Sequence, residues 1–189
     1  MSATNRGAVR RDKDLYETPP SVVSHFLQHH LKGEYQRILE PCCGSGNMVR
    51  ELRKRYAGAY IQAMDICNIN HIPESTFSLK GIDYLQYERD YPFDLIFTNP
   101  PYSLAQEIIT HSIETWPKAT VVMLLRLNFL GAQKRHKWWQ KYPASDIYVM
   151  SCRPDYTGEG GDATEYAWFV WTPYKINTKI YVIWGDDER

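Results

Sequence analysis

The chain has 189 residues, and its 22 Lys and Arg balance 22 Asp and Glu to a formal net charge of zero, so it lacks the global cationic field common among nucleic-acid binders. It is long enough to bury a sizeable core without disulfides or a metal, and its four cysteines, at 42, 43, 67 and 152, form no Cys-x-x-Cys pair, which argues against a zinc ribbon or a redox centre and for reduced thiols. Met1 to Asp14 lacks the apolar core of a signal peptide, and no run approaches the roughly 18 apolar residues of a membrane helix; the expectation is a cytoplasmic protein, in a bacterial or phage-infected host cytosol, with no membrane partner.

Residues 1–13, with Arg6, Arg10, Arg11 and Lys13, read as a flexible segment, and 14–189 as one domain in which strand and helix signals alternate without an internal repeat or low-complexity linker. Tyr16-Glu17-Thr18-Pro19-Pro20 leads into a helix over about Ser21 to Leu31. His25 and His29 stand i, i+4 on it, but no third ligand accompanies them, so a plain helix face is favoured over a metal site. Arg37 to Glu40 then runs as a strand into Pro41-Cys42-Cys43-Gly44-Ser45-Gly46-Asn47, followed by an amphipathic stretch from Met48 to Tyr56 carrying Arg50, Arg53, Lys54 and Arg55. Strand, glycine turn and helix in this order let a ligand approach backbone N–H groups at the helix start. Val49 stands where the dinucleotide fingerprint has its last glycine.

Ala59 to Asp65 reads as a second strand ending in an acid, the placement for a carboxylate that accepts from ribose hydroxyls. Asp83, within Gly81-Ile82-Asp83-Tyr84-Leu85, is positioned to accept from the amino group of an adenine ring while Tyr84 or Leu85 covers a face. Each acid taken alone reads more simply as a solvated loop residue; their order along the chain makes that less attractive. Phe93 to Phe97 is a short apolar strand ending in Thr98-Asn99-Pro100-Pro101-Tyr102. The two prolines stiffen the turn and aim the Asn99 side-chain carbonyl and the Pro100 backbone carbonyl outward. Two such acceptors suit an NH₂ group. Accepting both hydrogens of a conjugated exocyclic amine favours a pyramidal nitrogen with a freed lone pair, and Tyr102 can stack on the base. A purely structural strand-to-helix turn explains the same residues equally well on their own.

Ser103 to Thr115 has helical apolar spacing. Thr120 to Leu130 begins as a buried parallel strand, from which Arg126 and Asn128 emerge at the carboxyl edge, there to contact DNA or to make a local structural hydrogen bond. The helix predicted over Ala132 to Tyr142 sets Lys134, Arg135, Lys137 and Lys141 beside Trp138 and Trp139, either a phosphate-contacting patch or a solvated face. Asp146 to Cys152 and Thr164 to Trp171 read as two strands around a glycine-rich loop, and Lys179 to Trp184 as one more, without an assigned role.

With these segments in place, the chain resembles the S-adenosylmethionine-dependent adenine-N6 DNA methyltransferases of the Asn-Pro-Pro-Tyr type and is similar to the small solitary enzymes carried by phages, over roughly residues 14 to 172. The resemblance implies an α/β, Rossmann-like methyltransferase fold, its mostly parallel sheet closed by an antiparallel C-terminal strand pair. It implies a catalytic turn of Asn99, Pro100, Pro101 and Tyr102. The cofactor S-adenosylmethionine would lie with its amino-acid end near Tyr16, Thr18, Pro19, Glu40, Cys42 and Gly44 to Gly46, its ribose on Asp65 and its adenine near Asp83, Tyr84 and Leu85, with Asn99 at the reacting end. The partner would be duplex DNA with a flipped adenine, stacked on Tyr102 and on a second aromatic: Trp171 first, Trp168 second, Tyr156 third. Arg126, Asn128, Lys134 and Arg135 would contact the DNA. Two features depart from the family: no separate target-recognition domain, and two cysteines after Glu40-Pro41. An RNA amine, a protein glutamine amide, a non-catalytic DNA-binding relative and, further off, a nicotinamide oxidoreductase are the competing readings; the oligomeric state is left open.

Overall fold

Four short strands form the centre of the molecule: β1 (Arg37–Glu40), β2 (Tyr60–Asp65), β4 (Leu95–Thr98) and β5 (Thr120–Arg126), with β3 (Phe77–Lys80) alongside β2. The structure is a computed structural model that describes residues 17–88, 91–154, 164–174 and 177–183; residues 1–13, Tyr16 and Tyr156 lie outside them. Every residue of β4 is buried, as are all but the last of β5, because a parallel sheet covered on both faces has no side left for polar alternation. The strand order is β3-β2-β1-β4-β5-β7-β6-β8, with β6 (Asp146–Met150), β7 (Tyr166–Trp171) and β8 (Lys179–Ile183) completing eight strands.

β7 runs antiparallel to both β5 and β6, and β8 pairs parallel with β6. The antiparallel C-terminal pair and the additional strand at 179 therefore form as the sequence implied. β3 has no counterpart among the predicted elements. Its four residues are half-exposed and follow a polar loop, so no apolar run marks them; pairing with β2 makes them a strand.

Successive side chains of β5 point to opposite faces and thereby divide the core into two layers. Val122 and Leu124 join Ile38, Phe97 and Trp168 under α1 (Pro20–His29) and α2 (Asn47–Arg55). Val121, Met123 and Leu125 join Leu39, Ile96 and Phe169 under α3 (Ala105–Thr115). The segment expected as one helix from 132 to 142 is instead a 3-10 turn, Gln133–Arg135, followed by the short α4 (His136–Lys141). No helix among the described residues is long and apolar enough to cross a membrane.

β1 lies between β2 and β4, so the chain crosses to one side of β1 first and to the other side later. A crevice opens at the carboxyl ends of strands where their order reverses in this way. That crevice holds the end of β1, the end of β2 and the turn after β4.

Trp168 has no exposed surface and stacks on Phe26 at 4.6 Å and 17°, with Phe97 at 5.0 Å. Trp168→Ala is expected to cost about 3–5 kcal/mol of stability, read as a lowered urea midpoint with an unchanged denaturant slope.

Candidate active site

The turn after β1 is built on left-handed backbone. Gly44 has φ 49° and Gly46, which opens α2, has φ 86°, a region costly for residues with a Cβ. At Gly46 space forbids it as well: a Cβ would lie 2.9 Å from both Cδ1 and Cγ2 of Ile72. The turn is fastened to the end of β2 by two bonds. The Gly44 N–H donates to Oδ2 of Asp65 at 2.9 Å, and the Cys43 N–H to the carbonyl of Met64 at 2.9 Å. The other Asp65 oxygen accepts from the Cys67 N–H at 2.8 Å, so this carboxylate shapes both loops it touches.

Glu40 is buried at the end of β1, and its Oε2 has no hydrogen-bond partner among the described residues. Burial, reinforced by the neighbouring Asp65 and partly offset by the Val49 N–H, raises its pKa well above the usual carboxylate range. Burial and the same two carboxylates push up the thiols of Cys42 and Cys43, which disfavours their reactive thiolate form.

These groups border an open cleft lined by both polar and apolar residues. Thr18, Glu40, Cys42, Gly44, Asp65, Asp83, Tyr84, Leu85 and Asn99 all border it, with Pro101 of the turn after β4, whereas Pro19 is not among the residues that line it. Gly46 supports the turn from behind, and Tyr16 lies outside the described residues. Asp83 is exposed and accepts from the Leu85 N–H at 3.0 Å, capping a 3-10 turn over Tyr84–Gln86. Tyr84 is largely a core residue: its hydroxyl and that of Ser112 lie 2.8 Å apart, its ring is parallel to Trp116, and burial pushes its phenol pKa up. Sequence reasoning missed Asn47, Ile66 and Leu104, which also line the cleft. Ile66 and Leu104 are apolar yet 63% and 42% exposed, and an isoleucine directly after the strand-ending acid was the available signal.

Thr18 does more than border the cleft. Buried between two segments, it accepts a hydrogen bond from the Asn99 Nδ2 at 3.1 Å through its hydroxyl and one from the Asn47 Nδ2 at 3.2 Å through its carbonyl. The Asn99 amide is thus oriented: its NH₂ end is committed as donor, and Oδ1 is its acceptor end. Pro100 is buried beneath the turn, and the Pro101 carbonyl accepts from the Leu104 N–H at 2.9 Å, leading into α3. Tyr102 is half-buried against the layer under α1, with the Arg126 guanidinium over its ring.

The aromatic and cationic assignments need correction. Trp168 is enclosed in the core, and Trp171 is buried with its indole N–H donating to the Tyr142 carbonyl at 3.1 Å. Trp171 pairs with Val121 at the start of β5, the edge of the sheet away from the cleft. Neither tryptophan stands where a base would stack. Because β7 is antiparallel, its first residue, Tyr166, is the one opposite Arg126 at the cleft edge, with its ring 6.2 Å from that of Tyr102. Arg135 donates to the Phe129 carbonyl at 2.8 Å and covers the Phe129 ring, so it holds its own loop rather than facing DNA. Asn128 and Lys134 are exposed. On α2, Arg53 donates to the carbonyls of Glu74, Ala57 and Ala59, a structural clamp.

No family model matches the chain. It is 30% identical over 96 residues to a type II methyltransferase of Paramecium bursaria Chlorella virus XZ-6E, a match covering 49% of this chain and 25% of that enzyme. It is 29% identical over 99 residues to a type II methyltransferase of Thermus thermophilus, covering 51% and 23% respectively. The matched stretches are therefore about a quarter of either relative's length. Among solved structures, a type I restriction-modification methyltransferase subunit from Streptococcus thermophilus superposes with a TM-score of 0.64 at 11% identity, over 89% of this chain and 47% of that one. The fold is the Rossmann-like one shared with S-adenosylmethionine-dependent methyltransferases.

Gly46→Ala is expected to lower the melting temperature, since it adds left-handed strain of about 1–2 kcal/mol to the contact with Ile72; calorimetry of the variant measures it.

Proposed function

We propose that the chain transfers the methyl group of S-adenosylmethionine to the N6 amino group of an adenine in DNA. The observation that carries this reading is the Asn99 amide, oriented by Thr18 and set at the border of the cleft that Glu40, Gly44 and Asp65 also line. The residues fit the cofactor. A buried carboxylate oxygen of Glu40 without a protein partner among the described residues matches a cationic amino group, Asp65 and Asp83 offer acceptors, and the exposed Ile66 and Leu104 offer apolar surface to a flat ring. When bound, S-adenosylmethionine supplies an electrophilic sulfonium methyl.

The chain's own residues present the acceptor. Asn99 Oδ1 and the Pro100 carbonyl take the two amine hydrogens, which localises the nitrogen lone pair, and the stiff turn fixes its direction. Catalysis then comes from orientation and fixed dipoles rather than from a covalent enzyme intermediate. Flipping the base costs a few kcal/mol, and stacking on Tyr102 returns about 1–3 kcal/mol, so contacts with the DNA backbone have to make up the remainder.

The test is incubation with methyl-labelled cofactor and, separately, duplex DNA, RNA and a protein extract, followed by base analysis; label recovered as N6-methyladenine in DNA is the expected result. Label in RNA or in protein, but not in DNA, overturns the assignment of substrate. Asn99→Ala should abolish transfer while leaving calorimetric cofactor binding within about twofold. Thr18→Val removes the acceptor that orients the amide, a loss of about 1 kcal/mol, or roughly fivefold in kcat, and Thr18→Ser should restore it.

A further prediction concerns protons. The raised pKa of Glu40 favours its protonated form in the folded protein, whereas an ammonium partner requires the carboxylate. Cofactor binding should therefore release a proton, and affinity should rise with pH from the usual carboxylate range up to the raised value. Calorimetry in buffers of different ionisation enthalpy measures the release, and Glu40→Gln should abolish it and weaken binding.

A further inference from the structure

The two edges of the sheet are finished differently. At one edge β3 is four residues long, closes on Lys80 and follows Thr76, whose hydroxyl accepts from the Arg53 guanidinium at 3.1 Å; a short edge with charge on it resists further pairing. At the other edge β8 reads Lys179-Ile180-Tyr181-Val182-Ile183, a run rich in β-branched residues. Ile180 and Val182 are 64% and 76% exposed and share one face of the strand. On the opposite face Tyr181 stacks on Tyr148 at 4.8 Å, and Ile183 joins the core. The backbone of β8 is half used. The Lys179 N–H donates to the Ser145 carbonyl and the Ile183 carbonyl accepts from the Ser151 N–H, both at 3.0 Å, so Lys179, Tyr181 and Ile183 turn toward β6. Ile180 and Val182 then direct their N–H and C=O groups outward, where no strand among the described residues pairs with them.

We propose that β8 pairs with the β8 of a second copy of this chain, antiparallel about a two-fold axis at Tyr181. That register sets Ile180 of each copy opposite Val182 of the other, so the residues with outward groups exchange their hydrogen bonds and bring exposed apolar side chains together. Shifted by one residue, outward groups would meet inward ones; shifted by two, only one such pairing position would remain within the strand. Charge favours the same direction. Lys179 heads the strand, and Asp186, Asp187 and Glu188 follow it in the sequence, so antiparallel alignment carries the cationic head of one copy toward the acidic end of the other, whereas parallel alignment sets like charges together. β8 runs parallel to β6, and β7 antiparallel to both β6 and β5, so β8 has the direction of β5. The joined sheet therefore carries its two clefts at opposite edges, and the pairing covers neither. A five-residue strand buries less than a standard interface, so the association is reversible and depends on concentration.

Sedimentation velocity of the full chain between about 1 and about 200 µM tests this. The mass should rise from that of one 22.1 kDa chain toward twice that value and no further. Val182→Pro removes an N–H that faces outward and leaves the ladder to β6 intact, and Val182→Lys sets a charge against the apolar pair of the other copy. Each should associate at least about tenfold more weakly than wild type while keeping a cooperative thermal melt; where the proline variant fails to melt cooperatively, the lysine variant decides. Tyr181→Cys reads the register. Across the axis its Cα atoms would lie about 4.5 Å apart, within disulfide reach, so mild oxidation should link it into a dimer. Wild type, with its four cysteines elsewhere, and Val182→Cys, whose thiols would stand on the diagonal, should stay unlinked. The pairing is overturned by a mass of one chain at every concentration, by a mass that climbs past two chains, or by a doubled mass that persists in both Val182 variants. Linkage of Tyr181→Cys no greater than that of wild type or Val182→Cys overturns it as well.

Discussion

The carboxylate of Asp65 is the point on which the site is hung. One oxygen takes the N–H of Gly44 and the other the N–H of Cys67, so the loop after β1 and the loop after β2 are held to a single buried group. Each strand ends within a few residues of this anchor, and their parallel register, Glu40 opposite Ala63, delivers the two carboxylates to the same crevice. The cost of that proximity is visible at Glu40, whose ionisation is opposed both by burial and by Asp65. Glu40, buried beside Asp65, is poorly stabilised as a carboxylate by the protein alone, and a cationic ligand would favour its ionised form.

A second constraint couples the two halves of the site. Thr18, ahead of α1, holds the amide of Asn99, on the turn after β4, and also receives the side chain of Asn47 at the start of α2. Three segments far apart in the chain thus meet on one residue. The side chain that would grip an acceptor amine and the helix that follows the glycine turn cannot shift independently, so the lining of the cleft and the orientation of the amide are set together.

Much of this was legible in the chain because it is locally encoded. Arg37 to Glu40 and Tyr60 to Asp65 are apolar runs that stop at acids, Gly44 and Gly46 sit where left-handed backbone is needed, and two prolines follow Asn99; each of these signals lies within a few residues. What was not legible depends on long-range pairing. β3 becomes a strand only through β2. The depth of Trp168 and Trp171 follows from the antiparallel direction of β7, which sends its last residues away from the cleft and its first, Tyr166, toward it. Arg135 and Arg53 read as free cations in sequence because nothing local says that backbone carbonyls of Phe129, Ala57 and Ala59 will claim them.

That commitment of cations bears on how DNA would be held. The chain has no net charge, and the Arg135 guanidinium is held by the Phe129 carbonyl. Each phosphate neutralised would contribute about one unit to the salt dependence of the proposed DNA binding, so the salt slope would count the cationic groups that contact the backbone. Under the proposed function, discrimination among bases would fall on the pocket itself, where a base would have to satisfy Asn99 and the Pro100 carbonyl at once. Two acceptors on a rigid turn would reject a ring that presents a carbonyl in place of an amine, because like dipoles would be buried against each other. The chemistry of the turn would therefore also be its filter: the groups proposed to activate the nitrogen are the groups that would recognise it.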